Sequence, residues 1–249
     1  MIGFFDSGSG GLSVLSHFVS LAPEADVVYF GDIANAPYGE KTAEELSALT
    51  ARGVDVLRKH GAASVVSACN SVSTSILAGA SGELPYVEMT APTAEYLKQF
   101  SGKRFLLLAT PATVASGIYS HALEGIVVLD SLGIPGLAGA IEFGEADEQI
   151  RAIVSRALAQ KQNEAYDGVI LGCTHYPLAR AVLAPLIEEY CKTALIIDPG
   201  KPVAEAAAAR FAQGGGQGML QFLISKESRA FRDRVEALFP GGGYSIEIV

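Results

Sequence analysis

Cysteine is scarce in this chain, runs of lysine and arginine are missing, and no apolar stretch is long enough to cross a bilayer. The three cysteines, Cys69, Cys173 and Cys191, are an odd number at wide spacing with no export signal beside them. They predict free thiols in a reducing compartment rather than a disulfide framework. The opening Met1-Ile2-Gly3-Phe4-Phe5-Asp6 has no basic segment and meets an acid at once, so no signal peptide is expected. Apolar runs such as Phe105 to Ala109 and Val169 to Leu171 fall far short of the roughly 20 residues of a membrane span. They fit strands buried on both faces of a parallel sheet. A soluble cytoplasmic protein with no membrane partner is the expectation. With 18 Lys and Arg against 27 Asp and Glu, the net charge is −9. Nucleic acid is therefore excluded as a direct partner, because phosphate binding needs clustered cations. A small acidic ligand is not excluded, since helix-start N–H groups bind carboxylates.

What is present is a chain of 249 residues, 49 % hydrophobic and 18 % charged, with a mean hydropathy of +0.31. That suffices for one large or two modest cores and excludes disorder. Strands are predicted at Ile2–Phe5, Val27–Phe30, Ser64–Ser67, Tyr86–Glu88, Arg104–Ala109, Ile126–Leu129, Val169–Leu171, Leu195–Ile197, Leu220–Leu223 and Ser245–Val249. Helical spacing lies between them, as in Val14, Leu15, Phe18 and Val19. Another helix opens on the capping-box pattern Thr42-Ala43-Glu44-Glu45, runs through Leu46, Leu49, Val54 and Leu57, and stops at Gly61. Steady alternation of strand and helix means α/β with mostly parallel sheet. Two stretches read as joints, Met89-Thr90-Ala91-Pro92-Thr93 and Asp198-Pro199-Gly200-Lys201-Pro202, and Gly214–Gly218 reads as a glycine-rich surface loop.

A long-period echo runs through this pattern. Ser64-Val65-Val66-Ser67-Ala68-Cys69-Asn70 is matched by Val169-Ile170-Leu171-Gly172-Cys173-Thr174, and Gly3-Phe4-Phe5-Asp6 by Leu107-Leu108-Ala109-Thr110. Two similar α/β halves, each with a cysteine at a strand end, account for it. Ligands of open α/β sheets bind beyond the carboxyl ends of strands. A following helix N-terminus is expected to lower each thiol's pKa.

Two such thiols admit several chemistries. They could be buried packing residues. A metal site is poorly supported: Cys173 and His175 are near each other, but no C-x-x-C pair exists and Cys191 reads as mid-helix packing. A redox pair also wants C-x-x-C. Covalent catalysis by Cys173 with His175 leaves Cys69 idle. An acid/base pair on opposite faces of a carbon uses both and inverts a stereocentre. Asp6-Ser7-Gly8-Ser9-Gly10-Gly11 can present N–H groups to a carboxylate, but it is neither a P-loop nor a dinucleotide fingerprint. Asp6 could bind an ammonium group, polarise Cys69 or cap the helix after it. Pro37-Tyr38-Gly39 reads as a tight turn, and His17, His60 and His121 read as surface residues.

The chain resembles the bacterial glutamate racemases of the aspartate/glutamate racemase superfamily over nearly its whole length. The resemblance is carried by Phe5-Asp6-Ser7-Gly8-Ser9-Gly10-Gly11-Leu12, Gly31-Asp32 with Ala36-Pro37-Tyr38-Gly39, Ala68-Cys69-Asn70, Ala109-Thr110 with Thr113 and Tyr119, Ile141-Glu142, and Leu171-Gly172-Cys173-Thr174-His175-Tyr176-Pro177. It implies two α/β domains, each a mostly parallel sheet flanked by helices, related by a pseudo-two-fold axis with the active site between them. The boundaries expected here are 1–92 plus 199–249 for the domain with Cys69, and 93–198 for the domain with Cys173. It further implies that Cys69 handles the α-proton on the D-glutamate face and Cys173 that on the L face. Asp6 would assist Cys69, and Glu142 and His175 would assist Cys173. Asp6, Ser7, Pro37, Tyr38, Gly39, Asn70, Ser71, Thr113, Thr174 and His175 would bind substrate. No cofactor and no metal are implied, and a homodimer is. Ser71 stands where the family usually has Thr, and Asp32 to Ala36 depart from the usual residues before Pro-Tyr-Gly. The N-terminal extension of members activated by a peptidoglycan precursor has no counterpart, so that regulation is not expected. The nearest alternative is an aspartate or broad-specificity acidic amino-acid racemase; a binding protein without catalysis is another.

Overall fold

The computed structural model describes residues 1–162 and 164–249. Among them run β1 (Ile2–Asp6), β2 (Val27–Gly31), β3 (Ser64–Ser67), β4 (Tyr86–Val87), β5 (Arg104–Ala109), β6 (Val128–Gly133), β7 (Gly168–Gly172), β8 (Ile196–Ile197), β9 (Leu220–Ile224) and β10 (Tyr244–Ile248). Every predicted strand is present. They form two wholly parallel sheets flanked by helices, ordered β10-β9-β2-β1-β3-β4 and β6-β5-β7-β8. The inner order β2-β1-β3-β4 is repeated as β6-β5-β7-β8, which is the architectural content of the sequence echo.

Each sheet is buried on both faces, and successive residues serve opposite cores. Phe4 packs with Leu15, Phe18, Tyr29 and Phe222, whereas Phe5 packs with Phe30, Leu49 and Val65. In the second sheet Leu106 and Leu108 face one core, and Phe105 and Leu107 the other. The helix Ala43–Lys59 begins on a complete capping box between Thr42 and Glu45, and Gly61 beyond its end has φ +86°. Among the described residues, no helix is long and apolar enough to cross a membrane.

Three expectations are corrected. Met89–Thr93 and Asp198–Pro202, where the chain passes between the sheets, are not irregular linkers but hold the starts of the helices Thr90–Leu97 and Gly200–Phe211. Glu88 accepts hydrogen bonds from Thr90 N at 2.6 Å and Ala91 N at 2.8 Å, satisfying orphan donors of the first turn, where Pro92 is tolerated. Strand β6 lies later than Ile126–Leu129, because Val127 turns into the core before pairing begins at Val128. Cys191 is the last residue of the helix Arg180–Cys191, not a mid-helix residue.

Candidate active site

The carboxyl ends of β1, β3, β5 and β7 carry Asp6, Cys69, Thr110 and Cys173, and hydrogen bonds tie the loops of the two sheets together there. Ser9 donates to Glu142 Oε2 through its N–H at 3.0 Å and its hydroxyl at 2.6 Å. Ser13 Oγ donates to the Thr174 carbonyl at 3.3 Å, and Thr174 Oγ1 to Asp6 Oδ1 at 3.4 Å. Tyr119 Oη donates to Asn70 Oδ1 at 2.5 Å. Ser71 Oγ lies 3.3 Å from both Thr110 Oγ1 and Thr113 Oγ1. Approach is close enough to demand glycine. A Cβ at Gly8 would sit 2.9 Å from the Glu142 carboxylate, and one at Gly39 would sit 2.5 Å from Thr110 Cβ.

The cleft is closed. Cys69 is 4 % exposed, Cys173 5 %, and Asp6, Asn70, Thr113, Glu142 and His175 are all buried. The thiols stand near enough that charge on Cys173 lifts the Cys69 pKa. Their surroundings differ. On one side, Asp6 Oδ2 accepts from Gly8 N at 3.1 Å and Gly11 N at 3.0 Å. Burial nevertheless keeps this carboxyl above its ordinary range, with His175 and those N–H groups offsetting only part. Burial and the Asp6 charge in turn push the Cys69 thiol well up.

On the other side, Cys173 Sγ lies 3.8 Å from His175 Nδ1, and His175 Nε2 lies 2.6 Å from Glu142 Oε2. Burial pushes Glu142 up, but His175 and Ser9 overcome it and hold the carboxyl at about 2. Burial likewise lowers His175, but Cys173 and Glu142 lift it well above its ordinary value. This is a buried imidazole–carboxylate pair aimed at a sulfur.

One electrostatic expectation fails. No helix N-terminus activates Cys69, because the helix after it starts only at Thr74, capped by Ser73, with the turn Val72 N to Cys69 O at 3.2 Å between. Beyond Cys173 comes a short 3₁₀ turn, Tyr176–Ala179, before the helix Arg180–Cys191. The nearby side chains, not a helix dipole, set the Cys69 environment.

The remaining candidates converge on the same cleft. Ser7 is buried beside Cys69. Pro37 packs towards Gly139, and Gly39 against Thr110. Tyr38 is buried, with its hydroxyl donated to Asp32 Oδ2 at 2.7 Å. Asp32 also accepts from Asn35 Nδ2 at 2.9 Å and Ser225 Oγ at 2.7 Å, which fixes the turn before Pro37-Tyr38-Gly39. The other histidines stay out of it. His17 is half-buried and 3.4 Å from Asp198, His60 bonds the Val56 carbonyl, and His121 is exposed. Among the described residues, no group of three or more His, Cys, Asp or Glu is placed to hold a metal ion.

Sequence reasoning missed Arg234 in the helix Arg229–Leu238. It donates to Ser9 Oγ, to the Glu142 carbonyl at 3.0 Å and to the Ile141 carbonyl. The available signal was its position between buried Phe231 and Val235, on the apolar stripe of that helix.

Two parallel sheets facing each other across a paired-thiol cleft define an α/β protein with two buried sulfurs, each backed by its own acid. A family model described as Asp/Glu/Hydantoin racemase matches residues 9–209, and the chain belongs to that family of isomerases. It is 32 % identical over 257 residues to a glutamate racemase of Deinococcus radiodurans, covering 97 % of this chain and 87 % of the relative. The structure of glutamate racemase isoform RacE1 from Bacillus anthracis superposes with a TM-score of 0.86 at 25 % identity, over 100 % of this chain and 97 % of that one. That of glutamate racemase from Aquifex pyrophilus gives 0.81 at 29 % identity, over 99 % and 97 %.

Proposed function

We propose that the protein interconverts L- and D-glutamate by exchanging the α-proton between Cys69 and Cys173. The carrying observation is the pair of thiols at corresponding strand ends, brought together in one closed cleft with separate polar support. Relatives and solved structures that are glutamate racemases favour this substrate over aspartate.

Starting from D-glutamate, the Cys69 thiolate removes the α-proton and the Cys173 thiol delivers one to the opposite face. Starting from L-glutamate, the thiols exchange roles. A buried thiol held up by burial and by Asp6 resists ionisation in the free protein. The α-ammonium of an arriving substrate supplies the missing positive charge and favours thiolate, which is then a strong base. Charge developing beyond Cα is met by donors preset in a dry cleft, the hydroxyls of Ser71, Thr113 and Thr174. Asn70 fits that role, because Tyr119 holds its Oδ1 while its buried Nδ2 has no acceptor among the described residues. Substrate entry requires the bonds across the cleft to part, so opening and closing belong to each turnover.

The inferred units are 1–92 plus 199–249, and 93–198, on the strength of sheet membership. We infer a cytoplasmic role supplying D-glutamate for peptidoglycan, with the enzyme acting as a homodimer.

The test is an early time point in D₂O. With two bases, product carries deuterium at Cα while recovered substrate remains protiated, from either enantiomer. Early deuterium in recovered substrate at levels comparable with product would overturn the two-thiol reading.

A further inference from the structure

The Cys173 side contains a cation that the two-thiol reading does not use. Arg234 projects from the helix Arg229–Leu238, which lies between β9 and β10 and so belongs to the first sheet. Its side chain is 19 % exposed, and its guanidinium crosses to the end of the helix Leu137–Glu142. There Nη1 serves the Ser9 hydroxyl and the Glu142 carbonyl, while Nη2 serves the Ile141 carbonyl. Nη1 also lies 3.6 Å from Glu142 Oε2. The carboxylate it approaches is the one that grips His175.

We propose that Arg234 is a positioning residue that fixes Glu142, and through it His175, against Cys173 whenever the two halves are closed. This rests on Cys173 acting as an acid/base.

The geometry argues for more than packing. Main-chain carbonyls at residues 141 and 142 set where the Glu142 side chain begins, and Ser9 Oγ, itself held by Arg234, binds the carboxylate at 2.6 Å. One planar fork therefore controls both ends of the Glu142 side chain, which a lysine ammonium cannot reproduce. Without it, Glu142 keeps only His175 and a loosened Ser9, and the imidazole loses its fixed bearing on the sulfur. The ionisable groups facing the Cys173–His175 pair are Asp6, Cys69, Tyr119, Glu142 and Tyr176. Among the described groups facing the cluster, Arg234 is the only permanent cation. Removing it leaves the Glu142–His175 pair without its fixed positive neighbour.

The experiment compares wild type, Arg234→Met and Arg234→Lys in two readouts. The first is racemisation in both directions; the second is alkylation of each cysteine by iodoacetamide across pH, read by peptide mass spectrometry. In Arg234→Met, kcat should fall roughly ten- to hundredfold, as misplaced catalytic groups do, with KM changed by less than about threefold. The Cys173 alkylation profile should shift while that of Cys69 stays put. Arg234→Lys should recover the wild-type melting temperature yet keep a kcat deficit and a smaller Cys173 shift. An unchanged Cys173 profile in both variants, whatever their melting temperatures, would overturn the proposal. If the wild type leaves glutamate untouched, the substrate reading fails separately, and the thiol profiles still decide the role of Arg234.

Discussion

The two cysteines occupy matching places in matching sheets, yet their neighbourhoods are built on different principles. Cys69 has a buried carboxyl held by two backbone N–H groups and, among the described residues, no cation of its own. Cys173 has an imidazole, a carboxylate and a guanidinium in series. The comparison teaches that repeated topology supplies position while chemistry is set locally. L- and D-glutamate have equal free energy, but the cleft that distinguishes them is chiral and need not mirror itself. On the proposed mechanism, Cys69 depends on the charge of the substrate, whereas Cys173 has the His175–Glu142 pair built in beside it.

The largest effect expected from disturbing this pairing comes from the sulfurs. Cys69→Ala or Cys173→Ala should each cut racemisation by roughly 10³-fold or more, as loss of an essential acid/base does. The stability cost should stay at about 1–2 kcal/mol. A circular-dichroism assay with thermal melts measures both, and near-normal turnover in either variant would break the pairing.

Next come the supports. Asp6→Asn and Glu142→Gln should lower kcat by roughly ten- to hundredfold. Because the enantiomers are equal in free energy, kcat/KM must fall equally in the two directions for each variant. The separate kcat values should diverge, and in opposite senses for the two variants. Identical kcat losses in both directions for both would mean the two supports act as one.

The same two groups should give opposite pH slopes of stability. Glu142 lies below its ordinary value of 4.5, so its contribution is present above that pH and is lost as pH falls towards 2. His175 lies above 6.5, so its contribution is present below that pH and is lost as pH rises past its folded value. The deficit of Glu142→Gln should therefore peak near pH 5 to 6, at about 3 kcal/mol, and shrink towards acid. Asp6 is raised, so its contribution declines as pH climbs through its folded value, and Asp6→Asn should gain on wild type at higher pH. Melting temperatures from pH 3 to 8 check both; parallel slopes would refute the contrast.

The smallest effect is expected at Cys191. It is fully buried among Tyr166, Val169 and Ile187, and burial pushes its thiol up to about 11. Activity of Cys191→Ala should stay within about twofold of wild type. A larger loss would bring a third sulfur into the account.

Much of this was readable in the chain because strands buried on both faces leave unbroken apolar runs, as Val169-Ile170-Leu171 does. The Thr42 capping box was readable because it is a local code. What escaped depends on distant partners. Pro92 looked like a joint because its helix is started by the Glu88 side chain, which a propensity reading does not see. β6 is an edge strand with half-exposed Asp130 and Ser131, so its boundary lacks an apolar run. Asp6, Cys69, Cys173 and His175 were legible as candidates because they sit in short motifs at strand ends, which the fold brings into one cleft. Arg234 was not, since its targets Ser9 and Glu142 are 225 and 92 residues away in the chain.

Strand order also dictates a schedule for synthesis. Residues 104–197 contain every strand of the second sheet, so that sheet can pair completely while the ribosome is still adding later residues. The first sheet cannot. Its β2 has a bare edge until Leu220–Ile224 arrives, and Arg234 follows only after that. The nascent protein therefore carries a finished Cys173 sheet beside an incomplete Cys69 sheet, with Val27–Gly31 open to wrong pairing. Chaperone capture of unfinished chains should concentrate on that edge, and the cleft should be the last part of the molecule to mature.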